Sequence, residues 1–328
     1  MKRILITFLL LLPVLTTFAQ FDFTFITTQW DSSYYDRYFT KWSVRAYSVS
    51  KDQNFSLINR ISNERIDYKP NSRAAVGLGV TYGNYSLDVG VAISNKKDDP
   101  NNATKTFDFM SGLYTAQHIF DFSFQWYAGF FSEYRPPNGD TVDSHFRSDI
   151  RTFNTGINYN YNFNYGRYSF NAPFIGTQVQ KKSAGAPLAG LFFFYYDLRS
   201  NTTIIPVSAD SAFNKEARME EANLFTSGFL AGYAYTLVLP AHFSITASLI
   251  PGISFNTGDV KTEKYYEIGH PLTVSPKLVS RNSIGYAGKK FYSLISYIYD
   301  GNFVNLGHKN QFNYNLSKVK FLVGYRIE

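Results

Sequence analysis

The 328-residue chain contains no cysteine, which excludes a disulfide framework, a thiolate metal site and an acylated N-terminal anchor. Charged residues are only 17% of the chain and form no run of one sign, so a net charge of +7 does not describe a nucleic-acid surface. Solvated loops and turns account for it. Long apolar runs are nearly absent. Residues 4–15 form one, but a helix needs about 20 apolar residues to cross a bilayer. Lys2 and Arg3 precede that run and Thr17-Phe18-Ala19 follows it, the pattern of a signal peptide over residues 1–19 cleaved after Ala19.

What the remainder has in abundance is aromatic side chains, 26 Tyr and 31 Phe, without a second apolar run. That combination points to a membrane crossed by alternating strands rather than by helices. The alternation is direct to read. In 85–94, Tyr85, Leu87, Val89, Val91 and Ile93 share one face, and Ser86, Asp88, Gly90 and Ala92 the other. Gly83-Asn84 offers a two-residue hairpin turn to the preceding segment, 73–82. Within the next hairpin, 104–132, Phe120, Phe122, Phe124, Trp126 and Phe130 oppose Asp121, Ser123, Gln125 and Tyr127. In 151–163, Phe153, Ile157, Tyr159, Tyr161 and Phe163 point outward, while Asn154, Asn158, Asn160 and Asn162 point inward.

Segment length separates two architectures. Strands of a soluble sandwich average about 5 to 6 residues, whereas a tilted membrane strand needs about 9 to 11. The segments here are of the longer kind. Further strands are expected at 41–51, 167–179, 188–198, 224–238, 243–255, 277–287, 291–299 and 319–327. Short turns near His118, at 164–166, at Pro240-Ala241 and at 288–290 face long polar loops at 95–103, 133–149, 200–223 and 256–276. These strands total thirteen, an odd number that conflicts with the even count of bacterial barrels, and the conflict sits at 188–198. The expected fold is all-β: an antiparallel transmembrane β-barrel over 41–328 with about twelve strands, in a range of ten to fourteen. Residues 20–40 are expected to form a short periplasmic segment.

Several motifs add a family. Asp31-Ser32-Ser33-Tyr34-Tyr35, Trp42-Ser43-Val44-Arg45-Ala46-Tyr47, Tyr68-Lys69-Pro70-Asn71, Gly77-Leu78-Gly79-Val80-Thr81-Tyr82 and Gln180-Lys181-Lys182-Ser183-Ala184-Gly185 resemble the domain-of-unknown-function 4421 family of Bacteroidota outer-membrane barrels. Ala186 departs from the serine expected after that last glycine. The resemblance implies a barrel in the cell outer membrane and no particular activity. Phe321, Val323, Tyr325 and Ile327 alternate near the terminus like the signal read by the barrel assembly machinery, although the chain ends on Ile327-Glu328 rather than on an aromatic. Outer-membrane lipid and that machinery are the expected partners, and the oligomeric state stays open.

A search for chemistry yields little. None of the five histidines is spaced as a metal pair, and no phosphate loop, zinc motif or nucleotide fingerprint occurs, so no cofactor is expected. Ser144-His145 with Asp143 and Asp149 is the only local cluster of a hydrolase's composition, and a triad is set by geometry rather than adjacency. Lys181-Lys182-Ser183 suggests a Ser–Lys nucleophile, yet neighbours on an extended chain point to opposite faces. Asp88, Asp108 and Asp121 are expected to face the lumen, because hydrocarbon does not solvate a charge, and Arg151 sits at a strand end. With Asn158, Asn160, Lys181 and Lys182 they are the lumen and ligand candidates. The sequence therefore favours a non-enzymatic barrel: a narrow channel, a small-ligand binder or an envelope structural component. A barrel hydrolase acting on lipid or peptide at the outer rim is the alternative, and a partner-binding barrel with long outer loops a third.

Overall fold

The computed structural model describes residues 29–38, 42–71, 74–82, 85–93, 102–136, 142–262 and 266–327. The expected signal peptide and the Gly83-Asn84 turn lie outside the described residues. The strands in chain order are β1 (Tyr35–Arg37), β2 (Trp42–Asn59), β3 (Glu64–Lys69), β4 (Ala75–Tyr82), β5 (Tyr85–Ala92), β6 (Lys105–Tyr114), β7 (His118–Tyr134) and β8 (Asp143–Asn162). They continue as β9 (Gln178–Gln180), β10 (Ala184–Arg199), β11 (Met219–Val238), β12 (Phe243–Thr262), β13 (Tyr266–Ala287), β14 (Phe291–Gly307) and β15 (Asn310–Ile327). No helix among the described residues is long and apolar enough to cross a membrane.

Ten strands close an antiparallel ring, β2-β3-β7-β8 and then β10 to β15, with β15 returning to β2. The closing register runs from Ile327 opposite Trp42 to Asn310 opposite Asn59. Three further strands of the same sheet, β4, β5 and β6, stand outside the ring, and β1 and β9 pair in a separate sheet. The short β3 pairs only with the outer half of β2, at Phe55–Asn59, and with the end of β7. Beneath it β4 takes the other half of β2, β5 pairs with β4, and β6 pairs with β7. No pairing joins β5 to β6 among the described residues, so a seam separates those two edges. The strand number falls within the expected range, and the fold is an antiparallel transmembrane barrel.

Alternation fixes the orientation of each strand. Leu78 (72% exposed), Val91 (69%), Phe229 (61%), Leu249 (58%) and Ile295 (53%) all stand on the outer face, where water would not favour them. At the turn end this band finishes in aromatic pairs, Trp42 against Tyr82 and Phe291 against Tyr325, each with ring centroids 4.9 Å apart. At the other end a row of outward charges runs along one register line. Arg199 lies opposite both Arg151 and Glu221, and Glu221 opposite Lys261. Such a row sits where hydrocarbon gives way to polar headgroups. Beyond it β12 and β13 continue as paired strands, so the long loop expected at 256–276 is instead mostly a projecting hairpin. Outward Thr257, Asp259 and Lys261 are polar because that part of the wall stands in water.

Gly129, at φ 91°, makes the bulge that shifts the β7–β8 register between Ala128 and Phe130. The expected strand at 167–179 is not one. Residues 163–177 turn repeatedly, bury Tyr168 and Phe170 with Leu188, Leu230 and Ile250, and lead into β9, which pairs with β1. This plug, 163–183, closes the turn end from within. Its removal from the strand count also resolves the odd number, since β10 now runs so that 200–218 lies on the long-loop side. That second segment folds back over the opposite mouth through two short 3-10 turns, Val207–Ala212 and Lys215–Ala217. It buries Ile204, Ile205, Phe213 and Ala217 against Phe55, Tyr68, Tyr196 and Phe312. Tyr68 donates to the Ile204 carbonyl at 2.6 Å, and Asn59 Nδ2 to that of Ala212 at 2.9 Å.

Candidate functional site

Between the two apolar clusters the lumen is crossed by charged side chains. Inward Asp88 on β5 meets Arg45 of β2 (Nε, 2.8 Å) and Lys320 of β15 (Nζ, 2.6 Å). Asp108 on β6 meets Lys51 at 2.7 Å and accepts from Gln125 Nε2 (2.6 Å) and Tyr127 (2.7 Å). Asp121 on β7 pairs with Arg281 and accepts from the Tyr114 hydroxyl. Asp300 on β14 pairs with Lys277, which also donates to Asn302 Oδ1 at 3.1 Å. Lys277 lies 4.5 Å above the Phe194 ring. Strand alternation puts all these groups inside, and pairing offsets much of the cost of taking them from water.

The belt is not fully balanced. Arg45, Lys51, Lys277, Arg281, Lys318 and Lys320 outnumber Asp88, Asp108, Asp121 and Asp300 by six to four. Polar atoms are also left over: the Oδ1 atoms of Asn154, Asn158 and Asn160 and Gln53 Nε2 are buried without a hydrogen-bond partner among the described residues. A cavity of about 90 Å³ lies in this belt, walled by Met110, Asn154, Asn158, Arg281 and Lys318 among others.

The eight sequence candidates divide. Asp88, Asp108 and Asp121 face the lumen and carry its ion pairs. Asn158 is buried and donates to Asp300 Oδ2 at 2.7 Å, and Asn160 is buried beside it on β8. Arg151 does not face the lumen: it is exposed on the same face as Phe153, in the outward charged row, where a guanidinium reaches water and headgroups. Lys181 and Lys182 are also outside the lumen, on the exposed side of the plug. Lys181 pairs with Asp36 at 2.8 Å, and Lys182 donates to Ser33 Oγ at 3.3 Å. Nearby, the exposed Asp31 carboxyl accepts hydrogen bonds from Ser33, which hold it below the usual carboxylate range.

At the outer rim His145 Nε2 lies 2.6 Å from Asp143 Oδ1, and the hydroxyl of Ser208, from the cap, donates to the other oxygen of Asp143. A Ser nucleophile requires the imidazole between hydroxyl and carboxylate. Here the carboxylate occupies the middle and His145 is largely exposed, so the hydroxyl has no base. Among the described residues no group of three His, Asp or Glu side chains is placed to hold a metal ion.

The sequence model described as "Domain of unknown function (DUF4421)" matches residues 29–326. The chain belongs to this family. No match is found among curated proteins. Among solved structures, the outer membrane protease OmpT of Escherichia coli is 8% identical over 89% of this chain and 98% of its own, at a TM-score of 0.38. An outer-membrane OmpT of Vibrio cholerae is 8% identical over 87% and 98%, at 0.30. The toluene transporter TodX of Pseudomonas putida is 7% identical over 87% and 89%, at 0.26. These likenesses transfer no property to the DUF4421 chain.

Sequence reasoning missed the basic half of the belt. Lys318 and Lys320 alternate with outward Val319 and Phe321, a signal available once the last strand is begun at Asn310 rather than at 319. Arg281 and Lys277 carry the same signal on β13. Arg326 was equally legible by parity. It is buried, donating to the carbonyls of Gly176 (Nη2, 2.8 Å) and Gly288 (Nη1, 2.6 Å), and so ties the plug to the wall.

Proposed function

We propose that this DUF4421 protein is an outer-membrane barrel, sealed along its axis by its own chain, that acts without catalysis as a ligand-holding or structural component of the envelope. The apolar band bounded by aromatic pairs and by the outward charged row supports the membrane setting. One observation carries the choice against a passive channel. Each mouth is filled by a folded segment with its own buried apolar cluster, 163–183 at the turn end and 200–218 at the other.

Planar-bilayer recording tests this reading. The intact protein is expected to give no unitary current, and stable conductance steps would overturn the seal. A variant lacking 201–218 and carrying Arg326→Leu is expected to open intermittently. Cell fractionation tests the location, which recovery as a freely soluble periplasmic protein would overturn. The hydrolase alternative rests on the His145–Asp143 contact, and the order of groups there weighs against it.

A further inference from the structure

The excess positive charge in the lumen is concentrated at one place. Lys318 of β15 stands directly opposite Lys51 of β2, a like-charge pair across the closing register. Lys51 is turned to Asp108. Lys318 makes no hydrogen bond or ion pair among the described residues, although its side chain is partly covered and lines the cavity. The two carboxylates on the same cavity wall, Asp121 and Asp300, are already held by Arg281 and Lys277. An ammonium group in a barrel wall, directly opposite a second ammonium, is stabilised by a counter-charge. The site therefore favours a negative group supplied from elsewhere.

The route for such a group is on the same side. β6 forms one lip of the seam and contributes Met110, Ser111 and Gly112 to the cavity wall. Across the seam, β5 is exposed on both faces from 87 to 91, which includes inward Asp88 and Gly90. The cavity thus borders the β6 edge of the seam, and outward Phe107 and Phe109 on that strand meet hydrocarbon. Among the described residues both axial mouths are filled by folded segments, which makes the lateral seam the approach of this proposal. Size then selects the ligand. About 90 Å³ holds a few waters or one compact anionic group, and not an acyl chain.

We propose that the cavity binds the anionic head of a single-chain amphiphile that enters through the β5–β6 seam, with its tail left among the lipids against the outer apolar face. The carboxylate or phosphate pairs with Lys318 and accepts no proton; no bond is made or broken. This inference rests on the sealed-barrel reading, but the two fail separately: conductance tests the seal, and ligand binding tests the site.

The test is equilibrium binding of carboxyl-labelled dodecanoate to the full-length mature protein in non-ionic detergent, with acetate and inorganic phosphate as parallel probes. The intact protein and Lys318→Arg are expected to bind dodecanoate saturably. Lys318→Met, with folding verified by heat-dependent gel mobility, is expected to bind it roughly tenfold to hundredfold more weakly, as loss of a charge-assisted contact requires. Acetate and phosphate are expected to bind far more weakly than dodecanoate. Equal dodecanoate binding by the intact protein and Lys318→Met, or none by either, overturns the proposal. Phosphate or acetate binding as tight as dodecanoate overturns lateral entry and makes the site one for a soluble anion.

Discussion

Replacing Lys277 with Met isolates the energetics of the charged belt. Met keeps most of the stem that packs over Phe192 and Phe194, at 4.7 and 4.5 Å from the ring centroids to Nζ, and removes only the ammonium. The Lys277 side chain is 0% exposed and that of Asp300 8%, so water does not replace the lost partner. Asp300 keeps two amide donors, Asn158 Nδ2 at 2.7 Å on Oδ2 and Asn302 Nδ2 at 3.5 Å on Oδ1, but no counter-charge. Breaking a buried ion pair on one side costs about 3 to 5 kcal/mol, and the retained amide bonds place this case near the lower figure. Asp300→Asn leaves the ammonium without its counter-charge and is expected to cost a similar amount. The double variant strands neither charge, so it should recover most of the loss, giving a coupling of about 2 kcal/mol or more. Urea unfolding of the refolded protein in detergent, followed by tryptophan fluorescence and by heat-dependent gel mobility, measures all three variants. A coupling below about 0.5 kcal/mol would show that the two groups do not act as a pair and would refute the account of the belt.

Arg326→Leu removes the donors that hold the Gly176 and Gly288 carbonyls. It is expected to lower stability by about 2 to 3 kcal/mol and to make residues 163–183 cleavable by added protease while the barrel stays folded. His145→Ala should leave outer-membrane lipid composition unchanged, and stability within about 0.5 kcal/mol, whereas an altered lipid profile would restore the hydrolase. Because its bonds to Ser33 lower the folded-state value for Asp31, any stability they add is present above the ordinary carboxylate range and is lost as pH falls through the lowered value. Ser33→Ala should raise the Asp31 midpoint seen by NMR titration, and no change would count against the hydrogen bonds.

The wall was legible in the sequence because bilayer and lumen impose opposite demands on successive residues. Strands such as β5, β7 and β11 therefore announce their faces one residue at a time. The signal fails where the surroundings change. At 257–262 the strand leaves hydrocarbon, its outward residues become polar, and the sequence reads as a loop. At 167–179 Tyr168 and Phe170 look like strand residues because they too are buried, but against the inside of the wall. β3 is short and both it and its partners meet at the rim, so length could not reveal it. Pairings such as Arg281 with Asp121 or Lys320 with Asp88 join strands far apart in the chain. Parity predicts that each group points inward, and only closure of the ring decides which groups meet.

The closing contact between β2 and β15 also sets the timing of assembly. The ring's closing joint pairs β2, the first strand of the ring, with β15, the last one described. Arg326, which secures the plug, arrives with that final strand. The hairpins can form from local contacts, but ring closure and the Arg326 lock both require β15. A sheet that lacks β15 is thus open, with the edges of β2 and β14 unpaired.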